Sequence, residues 1–224
     1  MKMQTPPRRA VLPLAFAALL TSGCASVLES NEAPVQSYVL RAAVAPVDHT
    51  GQPSANDLRP VLQVRRVEAT AGLDTHRIAV VRADRRFDSY AASRWTDNAP
   101  ALVESLVVET LRNSGQYRAV FGDAGGFAPD YSLNLVLRRF EAQYSAQDGA
   151  PTIVVVLDAA LGRREDRALL AAFSVEASAP AAADRMSSVV AAFESATQDA
   201  LAQLSARLTT ALQNVDNPEP SISR

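Results

Sequence analysis

The chain has 224 residues, 48% of them hydrophobic, and a formal net charge of −2. A chain of this length and composition can bury one substantial core, so we expect a single folded domain. The weakly acidic balance excludes the basic surface of a nucleic-acid-binding protein, and one cysteine with two histidines excludes a zinc site built from these residues.

The N-terminal residues have the layout of a secretory signal peptide. Lys2, Arg8 and Arg9 precede an apolar run at residues 11–20. Because this run is about half as long as the ~20 residues that cross a bilayer, we do not expect a permanent transmembrane helix. The stretch LTSGCA at residues 20–25 then resembles the lipobox of bacterial lipoproteins, although its leucine stands one position further from the cysteine than is usual.

The lipobox implies that a signal peptide of residues 1–23 is removed and that Cys24 receives an S-diacylglycerol group and an N-acyl chain. Several fatty chains hold a protein on a bilayer almost permanently, whereas one chain holds it only marginally. Removal of the signal peptide takes away three bases and no acid, which changes the formal net charge from −2 to −5. The alternative is an ordinary exported protein in which Cys24 has no role.

The residues next to Cys24 predict where the anchored protein resides. Ala25 follows the cysteine, and in bacterial lipoproteins a residue other than aspartate at this position implies the outer membrane, with the chain facing the periplasm. Residues 24–36 carry Ser, Asn, Glu and Pro with little periodicity, so we predict a short lipidated tether. The single cysteine also excludes a disulfide bond within the chain.

The predicted domain covers residues 37–213, and its first part consists mainly of extended segments. These segments are rich in β-branched or aromatic residues and are separated by glycine, proline and charged residues. We predict strands at residues 37–43, 61–67, 77–82 and 87–95, and a loop at residues 45–59.

A helix is predicted next, at about residues 98–114. Asp97 or Asn98 can cap its N-terminus, and Pro100 stands in the first turn, where proline is tolerated. Apolar side chains recur at helical spacing, and Gly115 is suited to end the helix. A short strand at residues 117–121 should follow.

The most regular segment is a strand at residues 131–140, in which odd-numbered apolar residues alternate with mostly polar ones. Strands at residues 153–161 and 169–177 follow, separated by turns, so we predict an antiparallel meander of three strands. The odd-numbered side chains are expected in the core, and Leu169 and Phe173 are among them.

The last predicted element is a long helix at about residues 184–212, with Asp184 as its cap. Its apolar residues recur at steps of three or four, which is typical of a helix that covers a core. Residues 214–224 carry Asn, Pro and Ser and are predicted to be a disordered tail. We therefore predict an α/β fold, in which a mixed, largely antiparallel sheet with a C-terminal meander is packed by two main helices, mostly on one side.

The sequence patterns of common catalytic and cofactor sites do not occur in this chain. It has no G-x-S-x-G elbow of a serine hydrolase, and the glycine-rich residues 122–126 lack the lysine and Ser/Thr of a P-loop. His76 is interpreted as structural, although a hydrolase that uses it as a base is an alternative. We expect no enzymatic activity and no cofactor.

Arginine pairs such as Arg65-Arg66 and Arg163-Arg164 are interpreted as a compositional preference for arginine rather than as phosphate-binding forks.

Short motifs follow the anchor in a distinctive order. They are SYVL at residues 37–40, GLD at 72–74 before RIAV at 77–80, Tyr90 before Arg94-Trp95, DYSL at 130–133 with Phe140 and Tyr144, and VAAF at 190–193. In this order and spacing, over nearly all of the mature chain, the sequence resembles the ABC-type transport auxiliary lipoproteins, a family that includes PqiC-like components of Mce-type lipid transport systems. Many members end the last helix near a tryptophan, which this chain lacks.

The resemblance implies a non-catalytic subunit that works beside an Mce-domain substrate-binding protein, a permease and a cytoplasmic ATPase to move lipids between membranes. It also implies an α/β fold with a mixed sheet and helices. An envelope-assembly or peptidoglycan-associated structural lipoprotein is the alternative function.

Three residues are candidate contacts for a partner protein. They are the sole tryptophan, Trp95, and its neighbours Tyr90 and Arg94, because an exposed tryptophan concentrates binding energy. The alternative is that Trp95 packs in the core beside the first helix. Free strand edges and the long last helix also predict that copies of the chain associate with each other.

Overall fold

A nine-stranded sheet and two helices form the part of the chain that the computed structural model describes, which is residues 34–43, 57–126, 128–146 and 149–216. The strands are β1 (Gln36–Tyr38), β2 (Val61–Val64), β3 (Glu68–Ala69), β4 (Arg77–Val81), β5 (Phe87–Trp95), β6 (Ala119–Phe121), β7 (Tyr131–Gln143), β8 (Thr152–Arg163) and β9 (Leu169–Pro180). The helices are α1 (Ala99–Asn113) and α2 (Met186–Asp216). The predicted signal peptide, Cys24 and residues 217–224 lie outside the described residues.

The long strand β7 is the centre of the sheet, and other strands pair with both of its edges. On one edge β8 runs antiparallel to β7 along its whole length, and β9 pairs with β8. The opposite edge is occupied in succession by β2, β3 and β4, all parallel to β7, so the predicted strand at residues 61–67 is divided in two. Strand β5 pairs with β4, β1 with β5, and β6 with β2. These pairings confirm the predicted mixed sheet and its C-terminal meander.

The core lies between the helices and one face of the sheet. Buried side chains alternate along β7 and β8, as the sequence pattern predicts, and they include Leu133, Leu135, Ile153 and Val155. These residues form one hydrophobic core with α1 and α2, which contact each other. Most of the intervening residues of the same strands, such as Asn134, are exposed or half-buried, whereas Glu141 and Val154 are buried. The sheet is therefore covered on one side, and no described helix covers its other face.

Two irregularities in strand pairing change which residues reach the core. The register between β7 and β8 shifts after Leu137, so the buried positions change from odd to even, and Phe140 and Ala142 become buried. A second shift near the end of β8 pairs Gly162 with Leu169, on the uncovered face. The prediction that Leu169 belongs to the core is therefore wrong, and this side chain is 67% exposed.

Helix α1 begins and ends close to its predicted bounds. The Asn98 side chain, not that of Asp97, caps the helix by accepting a hydrogen bond from the Ala101 N–H at 3.1 Å. At the other end, the Arg112 guanidinium donates to the Val120 carbonyl at 2.9 Å. This bond joins the last turn of α1 to β6.

Helix α2 extends further than predicted. It has 31 residues, which corresponds to a length of about 46 Å. The predicted apolar stripe is buried from Val189 to Leu208, whereas residues 214–216, predicted as part of the tail, continue the helix. Asp184 lies two residues before α2, and its carboxylate accepts a hydrogen bond from the Tyr144 hydroxyl.

Strand β1 is shorter than the strand predicted at residues 37–43. It ends at Tyr38, after which the chain bonds to α2 instead of to the sheet. The Arg41 N–H donates to the Glu194 carboxylate at 3.2 Å, and the Arg41 carbonyl accepts a bond from the Gln198 amide at 3.1 Å. Because these side chains satisfy the backbone groups, the segment can leave the sheet and pack along the helix.

Tyr117, between α1 and β6, makes the fold sensitive to alkaline pH. Its hydroxyl is buried without a hydrogen-bond partner among the described residues, and burial raises the pKa of the phenol to about 12. The unfolded chain ionises this group at an ordinary pKa of about 10 while the folded chain keeps it protonated, so the free energy of unfolding falls as the pH rises from about 10 toward 12. Between these values, we expect the wild type to lose roughly 2–3 kcal/mol more unfolding free energy than Tyr117→Phe.

Urea unfolding followed by circular dichroism, at neutral and at alkaline pH, measures this difference. At neutral pH, Tyr117→Phe should be as stable as the wild type or more stable, because the hydroxyl that it removes has no partner. Tyr38→Phe, which removes the hydroxyl of a less buried tyrosine, is the control. An identical alkaline loss in Tyr117→Phe and the wild type would contradict this account.

Candidate functional site

The three residues predicted as partner contacts lie close together on β5, beside the short edge strand β1. The pairing of β5 with β4 is irregular between Ser89 and Arg94. Within this bulge, Ala92 has a φ of 48°, in the left-handed region that residues other than glycine rarely adopt. As a result, Tyr90, Arg94 and Trp95 occupy three different environments.

Trp95 lies in the core, and the expectation that its ring offers a surface to a partner is therefore incorrect. Its side chain is 0% exposed, and its ring centroid lies 5.6 Å from that of Phe140 and 5.0 Å from that of Phe193. Phe140 reaches this position because of the bulge in β7, and Phe193 comes from α2. The indole Nε1 has no hydrogen-bond partner among the described residues. The alternative prediction, that Trp95 packs in the core, is confirmed.

Tyr90 belongs to a hydrogen-bonded chain that joins three parts of the fold. Its hydroxyl lies 3.0 Å from the Tyr144 hydroxyl, which donates in turn to the Asp184 carboxylate just before α2. The Arg82 guanidinium lies 5.0 Å from the centroid of the Tyr144 ring. Burial, and then the bond to Tyr144, raises the pKa of Tyr90, so its hydroxyl stays protonated at neutral pH. Tyr90 therefore links β5 to β7 and to the start of α2.

Arg94 is the exposed member of the three. Its Nε donates to the Ser37 hydroxyl on β1 at 3.1 Å, which fixes the edge strand to β5. The rest of the guanidinium lies at the surface. Of the three predicted contacts, Arg94 is thus the side chain that a docking protein can reach directly.

A groove that the sequence did not predict lies between β9 and the end of α2. It has a volume of about 620 Å³, and its lining includes Leu170, Phe173, Ala211 and Val215. The Arg207 guanidinium lies 5.8 Å from the centroid of the Phe173 ring. Within the described part of the chain, β9 pairs only with β8, so no strand occupies its outer edge. The groove was missed because α2 was predicted to end before its last turn.

The described residues contain neither a metal-ligand cluster nor a membrane-spanning helix. No group of three or more His, Cys, Asp or Glu is placed to hold a metal ion in the described segments. Neither described helix is both long and apolar enough to cross a bilayer. His76 is exposed, and its carbonyl accepts the Trp95 N–H at 2.7 Å.

Comparison with known proteins gives one family and several similar folds. A family model described as ABC-type transport auxiliary lipoprotein component matches residues 38–208. Protein XCC0632 from Xanthomonas campestris, of the family DUF330, is 25% identical, with a TM-score of 0.70 over 81% of this chain and 98% of its own. CT253 from Chlamydia trachomatis is 8% identical, with a TM-score of 0.51 over 69% of this chain and 98% of its own, and shares the fold. No curated protein matches the chain.

Proposed function

The chain belongs to the family of ABC-type transport auxiliary lipoprotein components, and we propose on this basis that it is a non-catalytic subunit of an Mce-type lipid transport system. The match over residues 38–208 is the observation that carries the proposal. In this role the chain is anchored through Cys24 in the outer membrane and faces the periplasm. Its partners are an Mce-domain protein, an ABC permease and the ATPase that supplies the energy.

The anchor supports a docking role by restricting where the domain can move. A tether of residues 24–36 spans at most about 47 Å when fully extended. A domain held this close to the membrane has a high effective concentration near any transport machinery there, so weak contacts are sufficient. The exposed guanidinium of Arg94 on β5 supplies one such contact. Tyr90 holds the same strand in place through its hydrogen bond with Tyr144.

Self-association is part of the same proposal. Among the described residues no strand pairs with the outer edge of β9, Glu176 is its one charged residue, and the Gln203 amide of α2 donates to the Glu176 carbonyl at 3.0 Å. Natural proteins protect such edges with charges, bulges or a further chain. We propose that a second copy of the chain covers this edge, which would explain why a long strand with small, apolar side chains has so little other protection.

Co-purification tests the proposed function directly. The full-length protein, extracted in a mild detergent from cells that contain the transport system, should bring down the Mce-domain protein together with its permease and ATPase. Arg94→Glu should reduce this recovery, because it reverses the charge of the proposed contact. Arg86→Glu makes the same change in the exposed turn before β5 and should leave recovery unchanged.

Light scattering on residues 25–224, purified without the partners, then gives the number of copies of this chain in the particle, which we expect to exceed one. Failure to recover the Mce-domain protein from cells that contain every component would contradict the proposal. An equal loss in Arg94→Glu and Arg86→Glu would instead reject Arg94 as the contact.

A further inference from the structure

A cleft on the uncovered face of the sheet gathers arginines from distant parts of the sequence. It has a volume of about 460 Å³ and lies where β7 begins and β8 ends. We call it the arginine cleft, and its polar lining includes Arg65, Ser132, Asn134, Arg163, Arg164 and Arg167. No Asp or Glu is among its lining residues, although two carboxylates approach the arginines from outside it.

The arginine cleft is open at its floor because Gly162, one of its lining residues, has no side chain. Gly162 on β8 pairs with Ser132 on β7 and with Leu169 on β9. A Cβ at Gly162 would lie 3.5 Å from the Ser132 Oγ, which is ordinary contact, and the backbone there has no positive φ. A larger side chain at this position can therefore be accommodated by the backbone, but it would occupy the cleft.

The four arginines differ in their partners. The Arg65 Nε lies 3.0 Å from Asp123, and the Arg163 Nη2 lies 2.7 Å from Asp166. The bond from Arg163 lowers the pKa of Asp166 to about 2, so this pair stays charged at any physiological pH. These two pairs fix the walls of the cleft.

Arg164 and Arg167 have no such counter-charge. The side chains of both are exposed and make no ion pair with any described residue. The turn that carries them is held in place, because the Arg164 N–H donates to the Asp130 carbonyl at 3.0 Å and the Arg163 N–H donates to the Ala168 carbonyl at 2.9 Å. Two guanidinium groups that make no ion pair with a described residue therefore lie on a fixed turn beside a small concave site, although Glu165 is on the same turn.

We propose that the arginine cleft binds a phosphate group, carried either by a lipid headgroup or by free phosphate. Guanidinium groups match phosphate oxygens with paired N–H donors. The Ser132 hydroxyl and the Asn134 amide, at the floor and wall, add neutral donors. The volume suits one headgroup rather than the broad, flat contact of a protein partner. The site departs from the compositional interpretation of Arg163-Arg164, and it does not depend on the proposed transport function.

Calorimetric titration of the full-length protein in an uncharged detergent tests the proposal. The probes are inorganic phosphate, dihexanoyl phosphatidylglycerol and, as the phosphate-free control, dihexanoylglycerol. We expect the first or the second probe to bind and the third not to bind. Tighter binding of the phospholipid identifies the lipid headgroup as the source of the phosphate, and equal or tighter binding of inorganic phosphate identifies free phosphate.

Two variants and one matched control locate the binding. Arg164→Gln with Arg167→Gln should weaken binding about tenfold or more. The control is Arg85→Gln with Arg86→Gln, which removes the same charge from another exposed turn and, like the test pair, includes a residue with positive φ. Gly162→Val keeps the charge and fills the floor of the cleft, so it should weaken binding about as much as the double variant Arg164→Gln with Arg167→Gln. Thermal unfolding checks that each variant is folded.

The proposal is overturned by any of three results. The first is that neither phosphate probe binds, even if an acidic peptide does. The second is that the control pair weakens binding as much as the cleft pair, which would indicate attraction to surface charge in general. The third is that Gly162→Val, shown to be folded, binds like the wild type, because a ligand inside the cleft could not tolerate this side chain.

Discussion

Trp95→Ala is expected to lower the free energy of unfolding by about 3–5 kcal/mol. Trp95 is fully buried between Phe140 of β7 and Phe193 of α2, so its removal leaves a large cavity where strand and helix meet. The three rings contact one another, since the Phe140 and Phe193 centroids are also 5.0 Å apart. Loss of the indole therefore removes two ring contacts as well as the buried area.

Trp95→Phe separates the volume of the indole from its polar group. The buried Nε1 has no hydrogen-bond partner among the described residues, so its removal recovers part of the cost of desolvation. We expect a loss of about 1–2 kcal/mol, clearly smaller than for Trp95→Ala. Urea unfolding followed by circular dichroism is the suitable measurement, because both variants lack the tryptophan whose fluorescence would otherwise report unfolding.

Phe87→Ala is the matched control for this pair. Phe87 lies on the same strand but is 51% exposed, so its truncation should cost roughly 1 kcal/mol or less. If Trp95→Ala cost no more than Phe87→Ala, the aromatic cluster would not be the centre of the core. The interpretation of Trp95 as a buried core residue would then have to be abandoned.

Elements with a strong local pattern could be predicted from the sequence. The strand at residues 153–161 and the helix that begins after Asn98 were predicted close to their bounds, because alternation and capping depend on neighbours along the chain. The order of strands in the meander was also predictable, since short turns leave antiparallel neighbours as the simple solution. The family resemblance was correct for the same reason, because it rested on ordered local motifs.

The errors arise where two distant segments determine the outcome together. Phe140 is buried and Leu169 is exposed, the reverse of what simple alternation predicts, because bulges shift the register of paired strands. The sequence of either strand alone does not reveal this shift. Likewise, Arg41 leaves the sheet because Glu194 and Gln198 of α2 satisfy its backbone. Such contacts depend on the folded topology, which alternation within one segment does not reveal.

The candidate sites illustrate the same limit. Tyr90 and Tyr144 were quoted separately as motif residues, yet they are 54 residues apart and form one hydrogen-bonded chain with Asp184. The sequence alone favours a compositional interpretation of Arg65 and Arg163-Arg164, yet the parallel pairing of β2 with β7 and the β7–β8 ladder bring them to one cleft. A sequence shows which residue types are present, whereas the order of strands in the sheet decides which of them meet.

Cys24→Ala is expected to have the largest effect on where the protein resides. Because the proposed fatty chains at Cys24 supply the attachment, the chain should move almost completely from the membrane to the periplasmic fraction. The variant should be exported behind a signal peptide that ordinary signal peptidase removes, so that an uncleaved leader does not hold it on the membrane. Immunoblots of separated fractions measure the distribution, and mass spectrometry of the wild-type N-terminus should show acyl chains on Cys24.

Ser22→Ala is the matched control, because it changes the lipobox but keeps a small residue there, and it should stay with the membrane fraction. The circular dichroism and unfolding midpoint of Cys24→Ala should equal those of the wild type, since the buried core residues of the described part of the chain lie within residues 40–208. A variant that unfolds earlier would mean that Cys24 contributes to the fold rather than to anchoring. An unmodified Cys24 in the mature wild-type protein would remove the membrane tether, and with it the physical reason that weak docking contacts suffice.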